Sequence, residues 1–199
     1  MTNEPTIAGI PASELRYWID RMQIRDAMAR YIRGVDRHDV DLMETAFWPD
    51  AQLNYTNGFS GGRDEFIAWA NNLHETLYAR HQHHITNQHV DLDAGGDVAH
   101  VESYVIYLLR TSGGRQDFGA GRYIDIIERR DGEWRIALRE FIPEMRFSEE
   151  SLYNDATIPP FARGSWDRSD LSYTRPLQRR DASEAVNRLP DAFPITPSA

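Results

Sequence analysis

Val98-Ala99-His100-Val101-Glu102-Ser103-Tyr104-Val105-Ile106-Tyr107-Leu108-Leu109-Arg110-Thr111 is the longest stretch of period-two alternation in this chain. Successive side chains of a strand point to opposite sides. Read as a strand, the stretch puts Val101, Ser103, Val105, Tyr107 and Leu109 on one face, and His100, Glu102, Tyr104, Ile106 and Leu108 on the other. Its neighbours keep the same period. Residues 83–93 alternate and run into the turn Gly95-Gly96-Asp97, while residues 119–129 and 133–145 read as two further strands. The last two are joined by Arg130-Asp131-Gly132, and Asp-Gly between alternating runs is a strong hairpin signal.

Upstream the period is helical. Ser13 is placed to cap a first helix, along which Leu15, Trp18, Ile19, Met22, Ala27 and Tyr31 recur at roughly helical spacing until Gly34 ends the run. Asp39 reads as the cap of a short second helix through Met43 and Phe47, stopping before Pro49. Gln52 to Thr56 is a short strand, Ser60-Gly61-Gly62 a turn, and Phe66, Ile67, Ala70, Leu73 and Leu77 the stripe of a third helix. Three helices followed by long antiparallel strands predict an α+β fold, with helices packed on one face of a curved sheet.

With 199 residues, 41% of them apolar and five of them Trp, the chain can bury a core in one domain with length to spare. The divisions expected are an N-terminal arm over 1–12, the folded domain over 13–147, and a C-terminal extension over 148–199 that wraps the domain or a neighbouring subunit. The net charge of −9 argues against nucleic acid or an anionic membrane as partner, since both require a basic footprint. Cysteine is absent, which excludes disulfides, thiolate metal sites and a Cys nucleophile. No signal peptide or membrane span is read from the sequence, so a cytoplasmic protein is expected.

Asp36 and His83 stand out as carriers of chemistry. Asp36 follows the first helix, where an aspartate often just caps or solvates. Tyr31 lies five residues before it, about one and a half helical turns, so the two could converge on one opening. His83 sits in His81-Gln82-His83-His84. That cluster could be a solvated loop or a metal site, because on a strand His81, His83, Ile85, Asn87 and His89 would share a face. Against a metal, no His-x3-His or Glu-x-x-His helical pair supports it, and His81 is expected in the preceding turn. The third reading is a dyad in which Asp36 accepts the Nδ1 proton of His83 and leaves Nε2 as a general base. Tyr31 and Tyr55 could donate phenolic hydrogen bonds to a substrate oxygen, or simply fill a core. Asn87 could orient substrate or tie down backbone, and Arg139 could anchor an anion or pair with a nearby acid.

Four stretches together resemble the SnoaL-like branch of the nuclear transport factor 2-like superfamily, over roughly residues 12–147. They are Ile24-Arg25-Asp26 with Tyr31 and Gly34-Val35-Asp36; Trp48-Pro49-Asp50-Ala51 with Tyr55; His83-x3-Asn87; and Arg129-Arg130-Asp131-Gly132-Glu133-Trp134-Arg135-Ile136. The resemblance implies a cone-shaped α+β barrel of three N-terminal helices and a curved antiparallel sheet. It also implies an apolar cavity holding an Asp–His dyad and needing no cofactor. The scytalone dehydratases and hexachlorocyclohexane dehydrochlorinases are nearest by motif. The resemblance implies that tyrosines assist in the dehydratases at positions matching Tyr55 and the sequence beside Tyr31, and that an arginine of the dehydrochlorinases resembles Arg139. Where the dehydratases carry a second histidine this chain has Tyr107 or Leu108, and their small polar residues become Gly121 and Tyr123. A differently shaped, aromatic-lined cavity with Asn87, Tyr107, Tyr123 and Arg139 as substrate contacts is therefore expected. The implied activity is a cofactor-independent lyase that removes water, halide or a small aldehyde such as formaldehyde from a hydrophobic, aromatic or polyketide-like molecule. The alternatives are a ketosteroid-type isomerase and a non-catalytic subunit like the β subunits of ring-hydroxylating dioxygenases. Exposed sheet surface implies a homodimer or homotrimer.

Overall fold

A computed structural model describes residues 5–55, 58–150 and 165–174. It divides into two compact units, Met1–Ser151 and Leu152–Ala199. The first opens with β1 (Thr6–Ile7) and β2 (Ile10–Pro11), a two-stranded hairpin where a loose arm was expected. Its elements then run α1 (Ala12–Arg37), α2 (Val40–Glu44), β3 (Phe47–Tyr55), β4 (Phe59–Gly62), α3 (Arg63–Leu77), β5 (Tyr78–Leu92), β6 (Val98–Thr111), β7 (Arg115–Arg130) and β8 (Glu133–Glu150). Thus β8 runs beyond the expected boundary at Ser148. Within the second unit, Ser165 donates its backbone N–H to Asp170 Oδ2 at 2.8 Å, and Leu171–Tyr173 forms a single 3-10 turn. The expected wrapping of the domain or a neighbouring subunit by residues 148–199 falls largely outside the described residues.

The α+β reading holds. Six strands form one curved sheet in the order β4-β3-β8-β7-β6-β5. Every neighbouring pair is antiparallel except β3 and β8, which run parallel, so the sheet is mixed. Helix α1 packs on β5 and β8, and α3 on β3, β4 and β5. The alternation of β6 appears as read: Val101, Ser103, Val105 and Leu109 are buried. The Asp131-Gly132 turn has φ of 52° and 84° at its two central residues, the left-handed pair a tight hairpin requires.

Several local readings change. Ser13 lies inside α1, which Pro11 precedes without a side-chain cap. The buried stripe of α1 is Ile24, Ala27, Met28, Tyr31 and Val35, whereas Trp18, Ile19 and Met22 face outward. Gly34 does not end the helix. It is where α2 crosses α1: a Cβ there would meet Met43 Cγ at 2.4 Å and Met43 N at 2.9 Å. Helix α1 continues to Arg37 and stops at His38, whose left-handed conformation (φ 52°) turns its N–H back to Gly34 O and Val35 O. Asp39 caps α2 as expected, accepting from Leu42 N at 3.2 Å. Phe47, however, begins β3 rather than ending α2, and Ser60-Gly61-Gly62 belongs to β4. No described helix is long and apolar enough to cross a membrane.

Candidate active site

The three extra residues of α1 beyond Gly34 carry Asp36 over β5. One residue in direct contact there is His83: its Nδ1 stands 2.7 Å from Asp36 Oδ1, and its backbone N–H donates to Asp36 Oδ2 at 3.0 Å. Both carboxylate oxygens thus bind the same residue, which fixes ring and strand together. A carboxylate is an acceptor, so the ring places its proton on Nδ1 and leaves Nε2 with a free lone pair. Burial alone would raise the Asp36 pKa. The hydrogen bonds from the His81 and His83 side chains and the His83 backbone outweigh it, holding the group well below the usual carboxylate range.

His83 lines an aromatic cavity with Tyr31, Tyr55, Phe66, Trp69, Tyr107, Tyr123 and Phe141, and Asp36 stands behind it. Tyr31 and Tyr55 share a 2.9 Å hydrogen bond between their hydroxyls. Burial pushes the Tyr55 and Tyr123 phenols well above their ordinary value, so both keep their protons. Tyr107 crosses directly over Gly119 on β7; a Cβ at 119 would fall 2.2 Å from the ring. The missing side chain is what lets a large phenol lie against the sheet and still border the cavity.

Arg139 is not among the cavity-lining residues. It is wholly buried, bound to Asp125 through Nε (2.7 Å) and Nη2 (2.8 Å). Its guanidinium lies 4.4 Å from the Tyr31 ring centre and 4.1 Å from that of Tyr123. Of the two readings open in the sequence, the ion pair is the one observed, and the arginine supports the tyrosines from beneath. Asn87 is exposed and also stands outside the cavity lining. The cause is a bulge: Ile85 pairs with Val105 but Gln88 pairs with Ser103, so β5 spends one residue more than β6. Beyond it the inward phase passes to Val90, which is buried, and the His83-x3-Asn87 face is broken.

Other residues at the site, His81 apart, were not singled out from the sequence. His74, on α3, lines the cavity and stacks on His81 with ring centres 4.3 Å apart. Burial and the neighbouring His81, His83 and His38 lower its pKa to about 2. Tyr78 and Arg146 also border the cavity, and Arg146 reaches Asp117 at 2.5 Å. His81 is on β5, not in a turn before it; its side chain is buried, and Nδ1 lies 3.3 Å from Asp36 Oδ1. His38 Nε2 is 3.0 Å from His81 Nε2. His74 follows Leu73 on the α3 stripe, and that register was the one available signal that it faced inward.

Residues 16–140 match the family model described as a SnoaL-like domain. No curated protein sequence matches the chain significantly. Similar solved structures include a protein provisionally designated a scytalone dehydratase from Novosphingobium aromaticivorans, 21% identical over 70% of this chain and 97% of that one, with a TM-score of 0.60. A hexachlorocyclohexane dehydrochlorinase is 21% identical over 74% of this chain and 98% of its own, with a TM-score of 0.66. A protein provisionally designated an aromatic ring hydroxylase, also from Novosphingobium aromaticivorans, is 27% identical over 63% and 90%, with a TM-score of 0.57.

Proposed function

Because this chain belongs to the SnoaL-like domain family, we propose that it is a cofactor-independent lyase acting on a hydrophobic, aromatic or polyketide-like small molecule. One observation carries the reading: an imidazole whose Nδ1 is held 2.7 Å from a buried carboxylate, on a ring that lines an aromatic cavity. His83 Nε2 takes a proton from a carbon or hydroxyl of the substrate. Asp36 stabilises the imidazolium that forms, at a distance where opposite charges interact strongly in a buried site.

Tyr31 and Tyr55 hydrogen-bond each other and line the cavity, so one phenol can donate to a substrate oxygen while the other supports it. Negative charge developing on that oxygen is stabilised further by the Arg139 guanidinium behind the Tyr31 ring. A group then leaves. If the proton came from carbon, a hydroxyl departs as water by taking the proton back from the His83 imidazolium, or halide departs and that proton passes to solvent. If it came from a hydroxyl, a C–C bond breaks, a small aldehyde leaves, and the imidazolium returns the proton to the carbon. Base, donors and orienting carboxylate are all supplied by the chain, so the reading calls on no cofactor. The two structures named after a dehydratase and a dehydrochlorinase share this fold and fit elimination chemistry.

The test is turnover by purified protein on a panel of aromatic and alicyclic substrates bearing a hydroxyl or halide beta to an acidic C–H, with His83→Ala and Asp36→Asn in parallel. General-base catalysis typically contributes about 10²–10⁴-fold, and both variants should lose that much. Near-normal turnover in either variant would remove the dyad from the mechanism. Return of the proton with no group lost would mark an isomerase. No turnover together with co-purification of a larger iron-sulfur protein would mark an accessory subunit, the reading suggested by the similarity to the ring-hydroxylase-like structure.

A further inference from the structure

His81, which the elimination mechanism leaves without a task, brings a second imidazole to the carboxylate that His83 already uses. One oxygen of Asp36 and one nitrogen each of His81 and His83 lie within 4.8 Å of one another. Two of the separations are 2.7 Å (His83 Nδ1 to Oδ1) and 3.3 Å (His81 Nδ1 to Oδ1). Ligand atoms of a tetrahedral zinc ion with bonds of about 2.0–2.1 Å stand about 3.3 Å apart, so the carboxylate oxygen already lies near that spacing from both rings, and the third separation is at most 4.8 Å. Two imidazoles and one carboxylate are the donor set of catalytic zinc and non-haem iron sites.

A metal-bound imidazole ordinarily gives its remaining ring N–H to a fixed acceptor. Such an acceptor is within reach: with Nδ1 of His81 on a metal, its Nε2–H can donate to His38 Nε2 at 3.0 Å when His38 carries its own proton on Nδ1. A plain dyad uses His81 only as a second partner of the Asp36 carboxylate and has no use for His38 behind it, whereas a metal site uses both. We propose that Asp36, His81 and His83 form a binding site for a divalent transition cation, zinc foremost, and that filling it switches off the base.

Binding forms one bond from Nδ1 of each ring and one from the carboxylate, and water leaves the ion. In each of these two neutral rings the proton that sat on Nδ1 relocates through solvent to Nε2, and the His38 proton shifts from Nε2 to Nδ1 so that its Nε2 can accept, so no proton is lost overall. Nε2 of His83, the nitrogen that the dyad leaves free on a ring lining the cavity, thereby becomes a donor and can no longer accept a proton from substrate. Magnesium and calcium, which prefer oxygen ligands, are refused by a set with two nitrogens. The inhibitory half of this proposal rests on the proposed lyase reading; the binding half does not.

Titration of the full-length, chelator-treated protein with zinc sulfate, followed by isothermal calorimetry or competition with a chromophoric chelator, tests it. Zinc should bind saturably at one equivalent and magnesium chloride should not. His81→Ala and His83→Ala should each abolish that site. His38→Ala should weaken it by about 10–100-fold, the usual cost of losing the acceptor behind a metal-bound histidine. His84→Ala, on the exposed side of the same strand, should bind zinc as wild type does. With three variants probing one site, a misfolded single variant leaves the test intact. Absence of saturable binding by the wild type overturns the proposal, as does undiminished affinity in folded His81→Ala or His83→Ala. On any substrate the enzyme turns over, zinc should inhibit and chelator restore. Zinc-saturated protein that keeps full activity overturns the switch. Zinc binding with no turnover on any substrate leaves the metal site standing and removes the lyase reading.

Discussion

Asp36 holds His83 twice, by the ring at 2.7 Å and by the backbone N–H at 3.0 Å, so one carboxylate sets both the tautomer of the imidazole and the position of the strand that carries it.

These two contacts can be separated by substitution. Asp36→Asn keeps a polar side chain of the same shape and still offers an acceptor to the backbone. Its loss should appear mainly as a fall of about 10²–10⁴-fold in kcat/KM, with a fall in melting temperature from losing the ionised form that the histidines stabilise, smaller than in Asp36→Ala. Asp36→Ala removes the strand contact too and leaves a buried N–H without its partner, which costs about 1–3 kcal/mol. Thermal denaturation of the two variants side by side checks this. Equal melting temperatures would show that the backbone contact holds nothing.

Beneath the tyrosines, Arg139 and Asp125 are both fully buried and paired. Burial pushes the Asp125 carboxyl upward in pKa while the guanidinium pulls against it. Removing one partner of such a pair typically costs about 3–5 kcal/mol, because it strands an uncompensated charge. Arg139→Met should therefore lower urea stability by that order, and Arg139→Met with Asp125→Leu should recover much of it. A double variant as unstable as the single would mean that the arginine works through the Tyr31 and Tyr123 rings alone.

The crowding of imidazoles around Asp36 predicts acid sensitivity. His74 in the folded protein has its pKa lowered to about 2, against about 6.5 when unfolded. Between these values the unfolded chain binds a proton that the fold refuses, so stability is full above about pH 6.5 and erodes as pH falls. At pH 5 one such group removes at most about 2 kcal/mol, and His81, lowered mainly by burial, adds in the same direction. Asp36 titrates below this window and does not confuse it. Urea unfolding at pH 7.5 and pH 5 should show the loss, and His74→Phe should shrink the difference. An unchanged difference in His74→Phe would place the sensitivity elsewhere.

Gly34→Ala offers a test of packing against propensity. In an exposed helix the change would gain about 0.5–1 kcal/mol. Here the new methyl would sit 2.9 Å from the backbone nitrogen of Met43, which cannot rotate away. Overpacking of this kind costs about 1–3 kcal/mol, so a net loss of stability is expected, read as a lower denaturation midpoint. A gain would show that α2 shifts freely.

The legible parts of the site were those fixed by local pattern. The alternation of β6 placed Tyr107 on the inner face, and the helical run ahead of Gly34 brought Tyr31 and Asp36 toward one place. Asn87 was misplaced because a bulge between Ile85 and Gln88 leaves no mark in composition. Gly34 was misread for a similar reason: in sequence, a glycine that ends a helix looks the same as one that admits a neighbouring helix.

The sequence by itself determined the α+β architecture and the family, because hydrophobic period and motif spacing are properties of the chain taken in order. For Asp36 and His83 it offered a pairing beside two other readings, and the contact itself belongs to the tertiary structure. Only the tertiary structure decided that Arg139 is committed to Asp125, and that His38, His74 and His81 gather around the same carboxylate. Those contacts join residues far apart along the chain. Their meeting depends on where α1 ends, how α3 is turned and which way β5 faces after its bulge. Each is set by packing against the sheet, which local periodicity does not encode.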